Sequence, residues 1–141
     1  MQSFVYPIAL AQDPEGGSIV TCRDLPEVIT QGDTREDALE AAEGALQAAT
    51  EMRIQDDEDI PAASEAQRDE VLVAVPIGTA MTAALYLAMR EQGVNKSELA
   101  RRLGVDEKEA RRMLDPKHST KILALERALH LLGKRPELRI C

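Results

Sequence analysis

The chain has 141 residues and a formal net charge of −8, and 44% of its residues are apolar but only 2% are aromatic. So few aromatic side chains argue against a surface on which bases stack and against a deep aromatic ligand pocket. No apolar run approaches the ~20 residues that a membrane span needs, and we expect no signal peptide. Two widely spaced cysteines, Cys22 and Cys141, fit a reducing cytoplasm better than a disulfide framework.

Charge divides the chain into two halves near Pro76. Residues 1–77 contain 4 Lys and Arg against 17 Asp and Glu, a net charge of −13, whereas residues 78–141 contain 13 against 8, a net charge of +5. Such asymmetry indicates two domains with different partners. We therefore predict an acidic domain over 1–77, whose partner is not nucleic acid, and a basic domain over 78–141. Each would be marginally stable alone, so we also expect oligomerisation.

The acidic half predicts four strands. Apolar residues alternate over residues 4–10, and further short apolar runs lie at 18–22, 28–30 and 71–75. Pro7 has no backbone donor, so we expect the first strand to lie at a sheet edge or to carry a bulge there. With a helix between the third and fourth strands, the order is β-β-β-α-β, a small α+β layer.

That helix has clear boundaries in the sequence. Thr34 with Asp37 fits a capping box, and Asp33 is an alternative cap. Four acids at 56–59 end the helix, and residues 60–68 are predicted to form a loop. The four acids are not surrounded by the glycine-containing loop that is typical of calcium sites. We therefore interpret them as a solvated helix terminus rather than a metal site. The predicted inward residues are Leu39, Ala42, Leu46, Ala49 and Arg53, flanked by Ala38, Ala45 and Met52.

The basic half predicts four helices and no strands. Their C-terminal ends are marked by Gly93, Gly104, Pro116 and Gly133. The second helix begins at Asn95 or Lys96, the third is capped by Asp106, and the fourth is capped by Ser119 or Thr120. The fourth helix is expected to direct Ile122, Leu125, Leu129 and Leu132 inward.

The second and third of these helices form the strongest motif, a helix-turn-helix. Ala100 lies where the helices cross closely, Gly104 supplies the left-handed turn, and Val105, Ala110 and Met113 fill the small core. A plain helical bundle is the alternative. In the motif the third helix enters the major groove, and basic residues around it hold phosphates. The predicted DNA-binding residues are Lys96, Ser97, Glu107, Lys108, Arg111, Arg112, Lys117, His118 and Lys121.

The histidines do not indicate a catalytic site or a metal site. His118 and His130 have no third ligand at suitable spacing, and Cys22 lies in the other half. The predicted strand cores contain no Asp or Glu. We therefore predict no catalytic residue, no metal and no cofactor.

Several segments carry a resemblance to a known family. They are Tyr6-Pro7-Ile8, Gly16-Gly17, Asp24-Leu25-Pro26, Thr30-Gln31-Gly32-Asp33-Thr34, Glu98-Leu99-Ala100-Arg101-Arg102-Leu103-Gly104 and His118-Ser119-Thr120-Lys121-Ile122. Through these segments the chain resembles, over nearly its whole length, the HicB antitoxins of bacterial type II toxin–antitoxin systems. Many members carry a ribbon-helix-helix; this chain resembles the helix-turn-helix subtype.

The resemblance implies a division of labour. The N-terminal domain would have a partial ribonuclease-H-like fold and would bind and block HicA, a small basic toxin that cleaves mRNA with a histidine. The C-terminal domain would form a homodimer, or a higher oligomer, and would bind operator DNA to repress its operon. No family motif assigns individual toxin-contacting residues in this sequence.

Three functions are therefore compared. The favoured one is a cytoplasmic antitoxin and autorepressor that acts by binding alone. The first alternative is a one-component transcriptional regulator whose acidic domain senses a small ligand, against which the scarcity of aromatic residues counts. The second is a degenerate nuclease, which needs carboxylates that converge from strands onto metal ions.

Overall fold

The computed structural model describes residues 2–141 and confirms the α+β architecture. A four-stranded antiparallel sheet with one long helix is followed by four helices. The strands are β1 (Val5–Gln12), β2 (Ser18–Thr21), β3 (Ile29–Gly32) and β4 (Glu70–Ala74). The helices are α1 (Arg35–Gln55), α2 (Ile77–Gln92), α3 (Lys96–Leu103), α4 (Glu107–Met113) and α5 (Ile122–Leu131).

Strand β1 lies inside the sheet, so the edge position predicted from Pro7 was wrong. The strand order is β3-β2-β1-β4, but β2 pairs only with residues 9–12 of β1, and Pro7 lies opposite Leu72 of β4. The Val75 N–H donates to the Phe4 carbonyl at 2.9 Å. Because hydrogen-bonded pairs alternate along an antiparallel ladder, the Pro7 nitrogen points away from β4, to the side where β2 has already ended. An interior strand therefore accommodates proline without losing a bond.

Helix α1 covers one face of the sheet. Its cap is the predicted one: the Thr34 hydroxyl accepts a hydrogen bond from the Asp37 N–H at 3.1 Å. Met52 was predicted to face inward and is instead exposed, because the last turn of α1 buries Ile54 against the helical half. The core between α1 and the sheet contains Tyr6, Ile8, Val20, Ala38, Ala42, Leu46 and Ala49.

The loop between α1 and β4 is held against this layer by polar contacts. The Tyr6 hydroxyl donates to the Pro61 carbonyl at 2.8 Å, and burial raises the pKa of Tyr6 to about 12. Arg53 binds the Glu27 carboxylate at 2.6 and 2.9 Å and also donates to the Asp59 carbonyl. The same arginine lowers the pKa of Glu27 through these hydrogen bonds. The loop predicted over 60–68 is thus fixed at its N-terminal end.

Two isoleucines of the acidic half are buried in the core of the helical half. Ile54, in the last turn of α1, and Ile60, in the following loop, belong to the same apolar cluster as Leu85 and Met89 of α2. Burying an aliphatic side chain of this size contributes about 1.5–3 kcal/mol. The two oppositely charged halves are therefore in direct apolar contact.

Polar contacts reinforce this junction. The Tyr86 hydroxyl donates to the Glu58 carbonyl at 2.6 Å, and Arg90 donates to both the carbonyl and the carboxylate of Asp57 at 3.0 and 3.2 Å. Asp57 adopts φ +56°, a left-handed conformation that Asp tolerates better than most residues. The acidic side chains of 56–59 are otherwise exposed, as expected of a solvated helix terminus.

Helix α5 begins later than predicted. Its N-cap is Lys121, which makes no side-chain capping bond, whereas the Thr120 hydroxyl donates to the Arg112 carbonyl. Ile122 was predicted to face inward but is 45% exposed, because it is the first helical residue and no preceding turn covers it. Leu125, Leu129 and Leu132 are buried as predicted.

Replacement of Gly32 tests the close packing of α1 on β3. A Cβ at Gly32 would lie 2.3 Å from the Ala38 backbone nitrogen, so we expect Gly32→Ala to lower the free energy of unfolding by about 1–3 kcal/mol. Gly44 is a matched control, since a Cβ there meets nothing within 4 Å, and Gly44→Ala should stabilise by about 0.5–1 kcal/mol. Urea unfolding measures both effects. Wild-type stability of the Gly32 variant would contradict the packing.

Candidate nucleic-acid interface

Helices α3 and α4 form the predicted helix-turn-helix. The Asn95 side chain caps α3 by accepting from the Glu98 N–H, and the Asp106 side chain caps α4 by accepting from the Glu109 N–H, both at 2.8 Å. Gly104 between them has φ +70° and ψ +31°. Only glycine adopts this left-handed conformation at little cost, so the local sequence determines the turn.

The inner sides of the two helices pack on α2 and α5. Ala100 and Ala110 are buried, as the close crossing of the helices requires, and Val105 is half-buried in the turn. Because Ala110 lies on the buried side of α4, four other residues of that helix are exposed: Glu107, Lys108, Arg111 and Arg112. The buried residues of the motif are Leu99, Ala100, Leu103, Ala110, Met113 and Leu114.

All nine predicted DNA-binding residues are exposed. Four are on α4, two at the start of α3, and three in the segment between α4 and α5 or at the cap of α5. In chain order they are Lys96, Ser97, Glu107, Lys108, Arg111, Arg112, Lys117, His118 and Lys121. None is committed to the core, so each side chain is accessible to a ligand.

Acidic residues organise the basic ones in this region. The Ser97 hydroxyl donates to the Glu107 carboxylate, which joins the first turn of α3 to that of α4. The same carboxylate lies 4.0 Å from the Arg111 guanidinium, and Glu109 lies 3.9 Å from Arg112. These exposed pairs are weak, so a stronger anion can displace them. The Ser97–Glu107 contact was not predicted, because it joins positions ten residues apart on different helices.

The segment between α4 and α5 is a tight turn. The Asp115 carboxylate accepts from the Lys117 N–H and its carbonyl accepts from the His118 N–H, both at 3.0 Å. The Thr120 hydroxyl donates to the Arg112 carbonyl at 3.3 Å, which ties the turn to the last residues of α4. Lys117 and His118 are therefore presented next to the C-terminal end of α4.

Two basic residues of α3 were missing from the predicted site. Arg101 and Arg102 are exposed, and both bind the Glu98 carboxylate, at 2.5 and 3.0 Å. Their hydrogen bonds lower the pKa of Glu98. The spacing of three and four residues from Glu98 is the signal that predicts this cluster.

The structure shows no arrangement for metal chemistry within residues 2–141. No group of three or more His, Cys, Asp or Glu side chains in that range is placed to hold a metal ion. Helices long and apolar enough to cross a membrane are likewise absent from those residues.

Comparison with known proteins assigns the chain to a family. Residues 5–84 match the sequence model of the family described as "HicB_like antitoxin of bacterial toxin-antitoxin system". Antitoxin HicB of Escherichia coli (strain K12) is 38% identical over 133 residues, which cover 94% of this chain and 96% of that protein. Antitoxin HicB of Pseudomonas fluorescens (strain Pf0-1) is 40% identical over 136 residues, which cover 94% of this chain and 92% of that protein.

The chain belongs to the HicB antitoxin family. The family match covers the sheet, α1 and the first half of α2 and ends before the helix-turn-helix. The HicB relatives nevertheless align over nearly the whole chain; Antitoxin HicB 1 of Photorhabdus laumondii, for example, is 38% identical over 135 residues, 96% of this chain and 86% of that protein. The similarity to HicB antitoxins therefore extends through the helical half.

Replacement of Gly104 tests the turn of this HicB helix-turn-helix. Gly104→Ala should lower the free energy of unfolding by about 1–2 kcal/mol, because a Cβ is disfavoured in the left-handed conformation even though it would meet nothing within 4 Å. Gly104→Asn is the matched control and should lose less, since Asn tolerates this conformation. Thermal unfolding measures both variants. Equal losses in the two would contradict a conformational cause.

Proposed function

We propose that the chain neutralises a small basic HicA-type ribonuclease toxin with its acidic half and represses its own operon through the helix-turn-helix. One observation carries this proposal: α4 presents Lys108, Arg111 and Arg112 outward from a helix-turn-helix, while the half with the sheet has a net charge of −13. Opposite charges at the two ends suit a cationic protein at one end and a polyanion at the other.

The geometry of α4 supports DNA binding. A seven-residue helix is about 10 Å long, and the major groove is about 12 Å wide and admits a helix. In this proposal Lys108, Arg111 and Arg112 would donate to guanine, and Glu107 would accept from cytosine. The remaining predicted residues would contact phosphates and fix the orientation of the motif: Lys96, Ser97, Lys117, His118 and Lys121.

The charge of the acidic half supports a basic protein partner. Of its 17 acids, only Asp24, Glu27, Asp57 and Glu70 lie within 4 Å of a cationic side chain among residues 2–141. Three uncompensated acids, Glu36, Glu40 and Glu43, follow one exposed stripe of α1 at helical spacing. Their field would accelerate association with a cationic partner and would repel RNA.

Neutralisation is proposed to occur by binding alone. Ribonuclease-H-type hydrolysis needs several carboxylates that converge on metal ions. Within β1–β4 as described, the only carboxylate is that of Glu70, at the start of β4, and Arg23 binds it at 2.9 Å. This carboxylate is therefore engaged in an ion pair rather than free for metal.

Self-association is part of the proposal. Ile122, Leu123 and Leu131 of α5 are each more than 40% exposed, and a second copy of the chain in the cytoplasm would shield such apolar side chains from water. A two-fold homodimer would place two copies of α4 on half-sites about one helical turn, ~10 bp, apart.

Removal of the arginines on α4 tests DNA binding. Arg111→Ala and Arg112→Ala should each weaken operator binding by about 1–3 kcal/mol wherever a base contact is lost, as measured by fluorescence anisotropy on the DNA upstream of the gene. Arg68→Ala, which removes an exposed arginine from the acidic half, is the control and should bind normally. Normal operator affinity in both α4 variants would exclude α4 as the recognition helix.

Co-expression with the neighbouring short basic open reading frame tests the division of labour. The double variant Arg111→Ala/Arg112→Ala should still protect cells from that toxin, because its acidic half is intact. Charge reversal at Glu36, Glu40 and Glu43 to Lys should slow association with the toxin and weaken protection, while operator affinity persists. Each variant is the control for the other. Folded α4 variants that fail to protect would contradict separate binding surfaces.

A further inference from the structure

The segment after α5 forms an exposed arm. We define the C-terminal arm as residues 134–141, which contain Lys134, Arg135 and Arg139 against one acid, Glu137. Gly133 turns the chain out of α5 at φ +76°. The structure gives the arm no helix or strand, and most of its residues are exposed.

The base of the arm is fixed at one place on the helical half. The Gln92 side chain donates to the Leu132 carbonyl at 2.7 Å, and Lys134 lies 3.2 Å from the Glu91 carboxylate. Glu91 and Gln92 form the last turn of α2, three residues before Asn95 caps α3. The arm is therefore fixed to the last turn of α2, which precedes Lys96, one of the proposed phosphate contacts, by four residues.

Two arginines of the arm are uncompensated. Arg135 and Arg139 have no carboxylate within 4 Å among residues 2–141, in contrast to Arg23, Arg53 and Arg90, which all form ion pairs. Seven extended residues, 135–141, span up to about 23–25 Å. At that reach the arm can follow the DNA backbone, which presents one charge per ~1.7 Å of helix axis.

We propose that the C-terminal arm binds the phosphate backbone of DNA beside the segment contacted by α4, with Arg135 and Arg139 as the phosphate-binding residues. This rests on the proposed operator binding and extends its footprint. The arm also exposes Leu138 and Ile140, by 70% and 82%, and these would suit a second copy of the chain. DNA is favoured because the charge of the arm is positive and its base contacts the turn of α2 that leads into α3.

The salt dependence of DNA binding tests the arm without knowledge of the operator, because backbone contacts are independent of sequence. The full-length chain and Arg135→Ala/Arg139→Ala are titrated onto a random-sequence duplex between about 50 and 200 mM salt. Each lost phosphate contact lowers the slope of log K against log salt by about 0.9, so the double variant should lose about 1.8 per bound protomer. Over this range the wild type should then lose about 12-fold more affinity than the variant.

Two further variants serve as controls. Arg135→Lys/Arg139→Lys keeps both charges and should keep the wild-type slope. Arg35→Ala/Arg68→Ala removes the same charge from exposed positions of the acidic half and should also keep the slope. An equal reduction in this second control would show an effect of net charge and would overturn the proposal.

The remaining outcomes separate the arm from the function on which it rests. A wild type that binds no duplex at all overturns both proposals. If the wild type binds DNA but its affinity depends on salt as steeply as that of Arg135→Ala/Arg139→Ala, only the proposal for the C-terminal arm is overturned. If, in that case, Leu138→Ala/Ile140→Ala lowers the mass of the oligomer measured by analytical ultracentrifugation, the arm belongs to a contact between copies of the chain.

Discussion

Burial of Ile54 and Ile60 in the helical half is the constraint on which the arrangement of the molecule depends. These residues come from the end of α1 and the following loop, yet they pack with α2 rather than with the sheet. The contacts of Tyr86 and Arg90 with the backbone at 57–58 add polar stabilisation at the same place. The acidic layer and the helix-turn-helix therefore meet through a specific junction rather than through a free linker. Any partner of one half is held at a defined position relative to the other.

The cations of the acidic half and the acids of the helical half have different roles. In the acidic half, Arg23 and Arg53 bind carboxylates and carbonyls that hold the loops, so two of its four cations serve structure. In the helical half, Glu98, Glu107 and Glu109 lie beside the arginines of α3 and α4 and orient them. These arginines nevertheless remain exposed to solvent. This distribution of charge agrees with the proposed pair of partners, a basic protein and DNA.

Most local features could be predicted because their causes lie within a few residues. The three helix caps and the turn at Gly104 depend only on the residue type at each position and on its near neighbours. The capping residues are Thr34, Asn95 and Asp106. The candidate site was predictable for the same reason: helical spacing alone puts Lys108, Arg111 and Arg112 opposite the buried side of α4. Two predictions failed where a distant element decided the outcome: the edge position of β1 and the burial of Met52. The predicted cap of α5 and the burial of Ile122 failed for a local reason, because the helix begins only at Ile122.

The sequence by itself determined the order of the elements, the separation of charge and the helix-turn-helix, because period, capping and charge are local properties of the chain. The tertiary structure alone decided which residues of each strand pair with the next strand. It therefore explains why Pro7, which lies outside the part of β1 paired with β2, fits an interior strand. It also decided that Ile54 and Ile60 join the helical core and that Ser97 meets Glu107. These contacts join residues that are distant in sequence or on different elements, and they form only when packing brings those elements together, so no pattern within one segment encodes them.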